Sequence, residues 1–165
     1  MDKTFIPKSY HPLLDIWQTT ELSGALKLRR ITAPLVVNSG TGLNDNLNGI
    51  EAPVHFPLKT LDGQEVEIVQ SLAKWKRYAL WRHHIVPGMG IYTDMNALRP
   101  DEETDNLHSI YVDQWDWEKV ISPSERTEET LYQCVRSIYS ALKRTQFLLS
   151  ERFPMLETIL PEEIH

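Results

Sequence analysis

Two extended segments, residues 90–98 and 108–120, lie either side of a short polar link, and this pair restricts the architecture more than any other stretch of the chain. On the second segment, alternation separates two faces. Ile110, Val112, Gln114, Asp116 and Glu118 share one face, while Ser109, Tyr111, Asp113, Trp115 and Trp117 share the other. A row of Gln114, Asp116 and Glu118 over a core is costly unless a ligand or a cation pairs with it. Spacing alone leaves two readings open: a solvated face, or a face built around a bound group. Arg99, entering from the paired strand, weighs toward the second. A guanidinium beside carboxylates suits a phosphate or carboxylate that needs donors and acceptors close together.

The remaining elements can be placed around this pair. Residues 11–28 carry an imperfect helical stripe of Leu13, Leu14, Trp17, Leu22, Ala25, Leu26 and Leu28, weakened by Thr19, Thr20 and Gly24. Residues 30–37 turn extended, because Pro34 disfavours helix at Ala33 and β-branched residues follow. The Gly- and Asn-rich residues 38–48 form a loop. Residues 54–59 and 65–69 are predicted strands joined through Leu61-Asp62-Gly63-Gln64, a hairpin signal. Ser71 is a candidate N-cap for a helix running to about Trp81. In the last helix, Ser122-Pro123-Ser124-Glu125 has the pattern of a capping box with proline at the first helical position. Its apolar stripe runs through Leu131, Val135, Ile138 and Leu142 to Leu148 or Leu149, before Phe153-Pro154 stops it. Hairpins mixed with helices predict an α+β fold with a largely antiparallel sheet.

The 165 residues fit a single domain, and 41% hydrophobic with 24% charged content is that of an ordinary globular protein. A net charge of −6 excludes a general nucleic-acid binder. It leaves room for a small anionic substrate, since a few placed cations can dominate a cleft. Cys134 has no partner for an internal disulfide and reads as a core thiol. With no apolar run of signal-peptide or membrane-span type, a cytoplasmic protein without a membrane partner is expected.

Two further clusters can carry chemistry. Ser71-Leu72-Ala73-Lys74-Trp75-Lys76-Arg77 puts three cations near a helix entrance. Such a group is either a solvated face or, with Ser71 and the free N–H groups, an anion site. The loop around Asp45 lacks the Gly-Lys-Ser/Thr ending of a P-loop, but Asp45 itself could accept a substrate ammonium. His83-His84 is a poor metal pair, because adjacent side chains point apart and no further ligand stands at the right spacing, so no metal site is expected. The tryptophans at 17, 75, 81, 115 and 117 read as packing residues.

Taken together, residues 71–77, Ala97-Leu98-Arg99-Pro100-Asp101-Glu102 and residues 108–118 resemble the aspartate–ammonia ligases, the ammonia-dependent asparagine synthetases. The likeness runs over essentially the whole chain. It implies the catalytic fold of class II aminoacyl-tRNA synthetases, with residues 30–35 similar to the first class II motif and 99–118 to the second. It also implies a homodimer. The implied chemistry is the ATP-Mg²⁺-dependent conversion of L-aspartate and ammonia to L-asparagine through β-aspartyl-adenylate, with no prosthetic group. Carried over by position, Asp45, Arg99 and Gln114 are the expected catalytic residues, with Arg99 also holding ATP. Ser71, Lys76 and Asp116 are expected to line the amino-acid pocket. The chain departs from the family in one respect: no glycine follows Pro123, so the glycine-rich third motif is missing. Residues 1–165 are therefore expected to form the N-terminal portion of a single catalytic domain, weakly active or inactive alone. A non-catalytic fragment that binds aspartate, asparagine or AMP, or an assembly partner, is the alternative. A tRNA synthetase core is disfavoured by the acidic charge and by the lack of an anticodon-binding domain.

Overall fold

The computed structural model describes residues 20–155 and 157–164. In chain order these form α1 (Ser23–Leu26), β1 (Leu28–Arg30), β2 (Val36–Asn38), β3 (His55–Leu58), β4 (Gln64–Ile68), α2 (Ala73–Arg82), β5 (Gly90–Leu98), β6 (Tyr111–Lys119) and α3 (Glu128–Arg152). The two long segments read from the sequence pair antiparallel as β5 and β6, from Gly90 opposite Lys119 to Leu98 opposite Tyr111. Short β1 adds to the other edge of β5 in parallel, giving the order β1-β5-β6. A second sheet has the order β2-β4-β3 and is antiparallel throughout. Pro57 is tolerated in β3 because that strand lies at the sheet's edge. The expected α+β class holds.

Four local expectations need correction. The extended stretch 30–37 is two strands in two sheets, not one. The chain leaves β1 after Arg30 and resumes pairing at Val36, on either side of Pro34, which cannot donate to a ladder. Of the first predicted helix, only Ser23–Leu26 is α-helical among the described residues, and it ends at Lys27 in a left-handed conformation. Leu13, Leu14 and Trp17 lie outside the described residues. The capping box at Ser122 and Glu125 forms, but it closes a 3₁₀ turn at Pro123–Glu125. The long helix starts afresh at Thr127, whose hydroxyl accepts the Thr130 N–H. Finally, Ser71 makes no cap contact of its own at α2.

Alternation on β5 sorts the core into two sides. Ile91, Met95 and Ala97 are buried toward α2, where they meet Val37, Val69, Leu72 and Ala79 in two adjoining clusters. On the opposite face Tyr92 stacks on Trp115 at 4.9 Å, and Trp115 and Trp117 pack with Leu22, Leu26, Ile138 and Ala141 of α1 and α3. Fully burying a Leu, Ile or Met side chain contributes about 1.5–3 kcal/mol, so Leu72, Ile91 and Met95 make the α2 side the main apolar support of the sheet. Three strands cross closely at Gly90: a Cβ there would overlap the Glu118 carbonyl oxygen and crowd Leu28. No helix among the described residues is long and apolar enough to cross a membrane.

Candidate active site

The polar row on β6 lies on the α2 side of the sheet, beside buried residues of β5. Register puts Gln114 opposite Met95, Asp116 opposite Thr93 and Glu118 opposite Ile91. The cations that meet this row come from α2. Lys76 is only 2% exposed, and its Nζ donates to Asp116 Oδ2. Asp116 is fixed further by the Trp117 N–H on its Oδ1, at 2.8 Å. A lysine is almost never buried this deeply without a partner, and removing the partner would leave an uncompensated charge. Arg77 stands 3.9 Å from Glu118 on the more exposed side of the same helix. The three-cation cluster is thus divided: Lys74 and Arg77 are solvated, whereas Lys76 points into the sheet.

The second group forms where the loop 39–54 meets the entrance of α2. Asp45 Oδ2 accepts from Ser71 Oγ at 3.1 Å and from the Lys74 backbone N–H at 3.3 Å, with the Lys74 ammonium 3.7 Å from its other oxygen. Asp45, remote in sequence, does the capping that Ser71 was expected to do. Ser71 instead uses its hydroxyl to hold that carboxylate. A carboxylate at a helix N-terminus is favoured both by the orphan N–H groups and by the helix dipole.

Gln70 connects this group to Arg99. Its backbone N–H donates to Asn44 Oδ1 at 2.8 Å, and its carbonyl accepts from Arg99 Nε at 3.4 Å. Arg99 also approaches Glu102, 3.8 Å away. The structure therefore brings Asp45, Ser71 and Arg99 into one connected group, and Lys76 and Asp116 into a second on the same side of the sheet. Gln114 is exposed on β6 two positions before Asp116, and among the described residues no side-chain hydrogen bond ties it to either group.

The link after Arg99 is held by Asp105. Its Oδ1 accepts the N–H groups of Leu107 and His108, each at 2.7 Å, and lies 2.9 Å from His108 Nδ1. Chiefly through the Leu107 N–H, and next through the His108 side chain, the Asp105 carboxyl is pulled down to about 2. The same bond to Asp105 raises His108 above its ordinary value.

Two residues here escaped the sequence reading. Asn44 is buried and ties the loop to β4 by donating to Glu67 Oε2 at 3.2 Å and to the Ile68 carbonyl at 3.1 Å. In a Gly- and Asn-rich stretch it looks like one more turn residue. Gln70 is 1% exposed, yet neither atom of its side-chain amide has a hydrogen-bond partner among the described residues, nor has the buried Thr93 hydroxyl. No pattern in the sequence marks either one. His83 and His84 are both exposed, and no group of three or more His, Cys, Asp or Glu among the described residues could hold a metal ion.

Residues 13–165 match the family described as aspartate–ammonia ligase. The chain belongs to the aspartate–ammonia ligase family. It is 52% identical to an aspartate–ammonia ligase of Clostridium perfringens, in an alignment covering 99% of this chain and 52% of that protein. The corresponding figures are 53%, 99% and 52% for the Ruminiclostridium cellulolyticum ligase. For the Bacteroides fragilis ligase they are 51%, 96% and 50%. The chain thus spans about half the length of the curated relatives it matches. Among solved structures it resembles a pyrrolysyl-tRNA synthetase of Desulfitobacterium hafniense, with a TM-score of 0.51 at 17% identity over 79% of this chain and 47% of the other. That likeness establishes the class II synthetase-like fold.

Proposed function

We propose that the chain supplies the nucleotide-and-carboxylate grip of an ATP-dependent ligase that makes L-asparagine from L-aspartate and ammonia. In the first step an oxygen of the aspartate side-chain carboxylate attacks the α-phosphorus of ATP-Mg²⁺. The bond to the β-phosphate oxygen breaks, leaving β-aspartyl-adenylate and pyrophosphate. In the second, ammonia attacks the activated acyl carbon, the bond to AMP breaks, and a proton is lost to give the amide.

Arg99 offsets the negative charge on the transferring phosphate and the attacking carboxylate, and Gln114 orients the acyl group. Asp45 positions the amine. Ser71, Lys76 and Asp116 line the amino-acid pocket. The observation that carries this reading is the convergence, on one side of the sheet, of a carboxylate at a helix entrance, a partly exposed arginine and a buried lysine paired with a partly exposed aspartate. Activation needs donors fixed before the charge develops, and loss of one such donor typically slows a reaction by ~10²–10³. ATP with Mg²⁺ enters as co-substrate with no prosthetic group, in a cytoplasmic homodimer that takes neither nucleic acid nor membrane as partner.

Because the relatives are about twice as long, the chain by itself is expected to bind aspartate, asparagine or AMP with little or no turnover. Complementation of an asparagine auxotroph tests both parts. Growth should require this chain together with the uncovered half of the domain, and Arg99→Ala should abolish it. Rescue by this chain alone would overturn the claim of weak activity. Failure of the pair, with both polypeptides expressed and soluble, would overturn the ligase reading.

A further inference from the structure

The apolar stripe of α3 is covered along only part of its length. Ala141 is buried and Ile138 packs beside it against α1 and the tryptophans of β6. One to two turns earlier on the same stripe, Val135 is 41% and Leu131 60% exposed, and Tyr132 beside them is exposed as well. A groove of about 570 Å³ opens here between the end of β6 and the start of α3, with Trp117, Ile121, Leu131 and Cys134 among its walls. Cys134, expected as a core thiol, is only half-buried in it. On the far side of Leu131 a second hollow of about 510 Å³ continues past Tyr132 and Val135 to Ile164. Charged side chains stand at the margins: Arg126 and Glu128 at the first hollow, Arg136 at the second. A continuous apolar surface with a polar rim is the anatomy of an interface, not of a solvated helix face.

We propose that this surface docks the half of the aspartate–ammonia ligase domain that the chain does not cover. The relatives hold about as much polypeptide again as this chain aligns with. The stripe also passes from covered to bare within one helix, at Ile138 and Val135, as a core does where part of its packing partner is supplied by other residues. β6, which ends beside the groove, lies at the edge of its sheet among the described residues. Packing begun on α3 therefore has a sheet margin alongside it to extend. The inference rests on the family relation and on the packing of α3, and it needs neither ATP nor aspartate.

The test mixes the purified 165-residue chain with a separate polypeptide comprising the uncovered half of the Clostridium perfringens relative. Association is measured by sedimentation and calorimetry without nucleotide or amino acid. Where the added half needs its partner in order to fold, co-expression with a tag on one polypeptide and co-purification of the other give the same readout. Saturable one-to-one association is expected. Combined Leu131→Glu and Val135→Glu should weaken it at least tenfold while leaving the circular dichroism of this chain unchanged. Ile50→Glu, at an 87% exposed position outside both hollows, should alter it by less than twofold. Lack of association, or equal association by the double variant, would overturn the proposal. So would self-association of this chain that the double variant abolishes and the added half does not displace, which would make a second copy the occupant. Since no substrate is present, failure here leaves the ligase reading standing, and failed complementation with association intact does the reverse.

Discussion

The sheet β1-β5-β6 has helices on both faces, and the two faces are finished to different degrees. On the α2 side, Leu72, Ile91 and Met95 are fully buried, and so is Lys76, which is paired with one carboxylate. On the α3 side, Trp115, Trp117 and Ala141 make a local cluster, but the stripe then runs out into open grooves at Leu131 and Val135. Charge is thus buried where packing is complete, and apolar surface is bare where it is not. The first arrangement is stable only because the pair is made within this chain. The second leaves apolar surface free for the docking proposed above.

This contrast can be broken at its strongest point first. Asp116→Ala should cost about 2–3 kcal/mol in urea unfolding, because it leaves the Lys76 ammonium, itself 2% exposed, without its carboxylate. Adding Lys76→Met should recover most of that loss, since it removes the charge left without a partner. A double variant as unstable as the single one would mean that the pair is not the source of the effect. Next, Gln70→Met should raise stability by about 1–3 kcal/mol, by removing an amide buried without partners. A loss would show that the amide is satisfied in solution. On the open side, Leu131→Glu alone should change the unfolding free energy by no more than about 0.5 kcal/mol. A larger drop would close the groove and erase the difference between the faces.

The smallest effect concerns the link between β5 and β6. The Asp105 carboxyl sits below its ordinary value, so its contribution to holding the link is present above that value and is lost as pH falls through about 2. The His108 imidazole sits above its ordinary value, so its contribution is complete below about 6.5 and fades as pH rises through the raised value. In an NMR titration, Asp105→Asn should move the His108 midpoint down toward 6.5. An unmoved midpoint would remove Asp105 as the cause.

Much of this was legible in advance where one residue type has one physical use. Alternation along β6 assigned Gln114, Asp116 and Glu118 to a common face, and Asp62-Gly63 marked the turn region before β4, where both take positive φ. The capping pattern at Ser122 was real but stopped after one 3₁₀ turn, since a cap orders only the turn beside it and Thr127 offered another start. Pro34 warned of a break that the extended reading of 30–37 passed over.

From the sequence alone came the polar row on β6, because it depends on local period, and the family, through the resemblance of residues 71–77, 97–102 and 108–118 to the aspartate–ammonia ligases. Tertiary structure alone decided that Asp45 caps α2, that Lys76 among three neighbouring cations is the buried one, and that Gln70 joins Asp45's group to Arg99. It alone separated the covered from the bare part of the α3 stripe. Each of these depends on which distant segment arrives beside a side chain, and the sequence around that side chain does not record it.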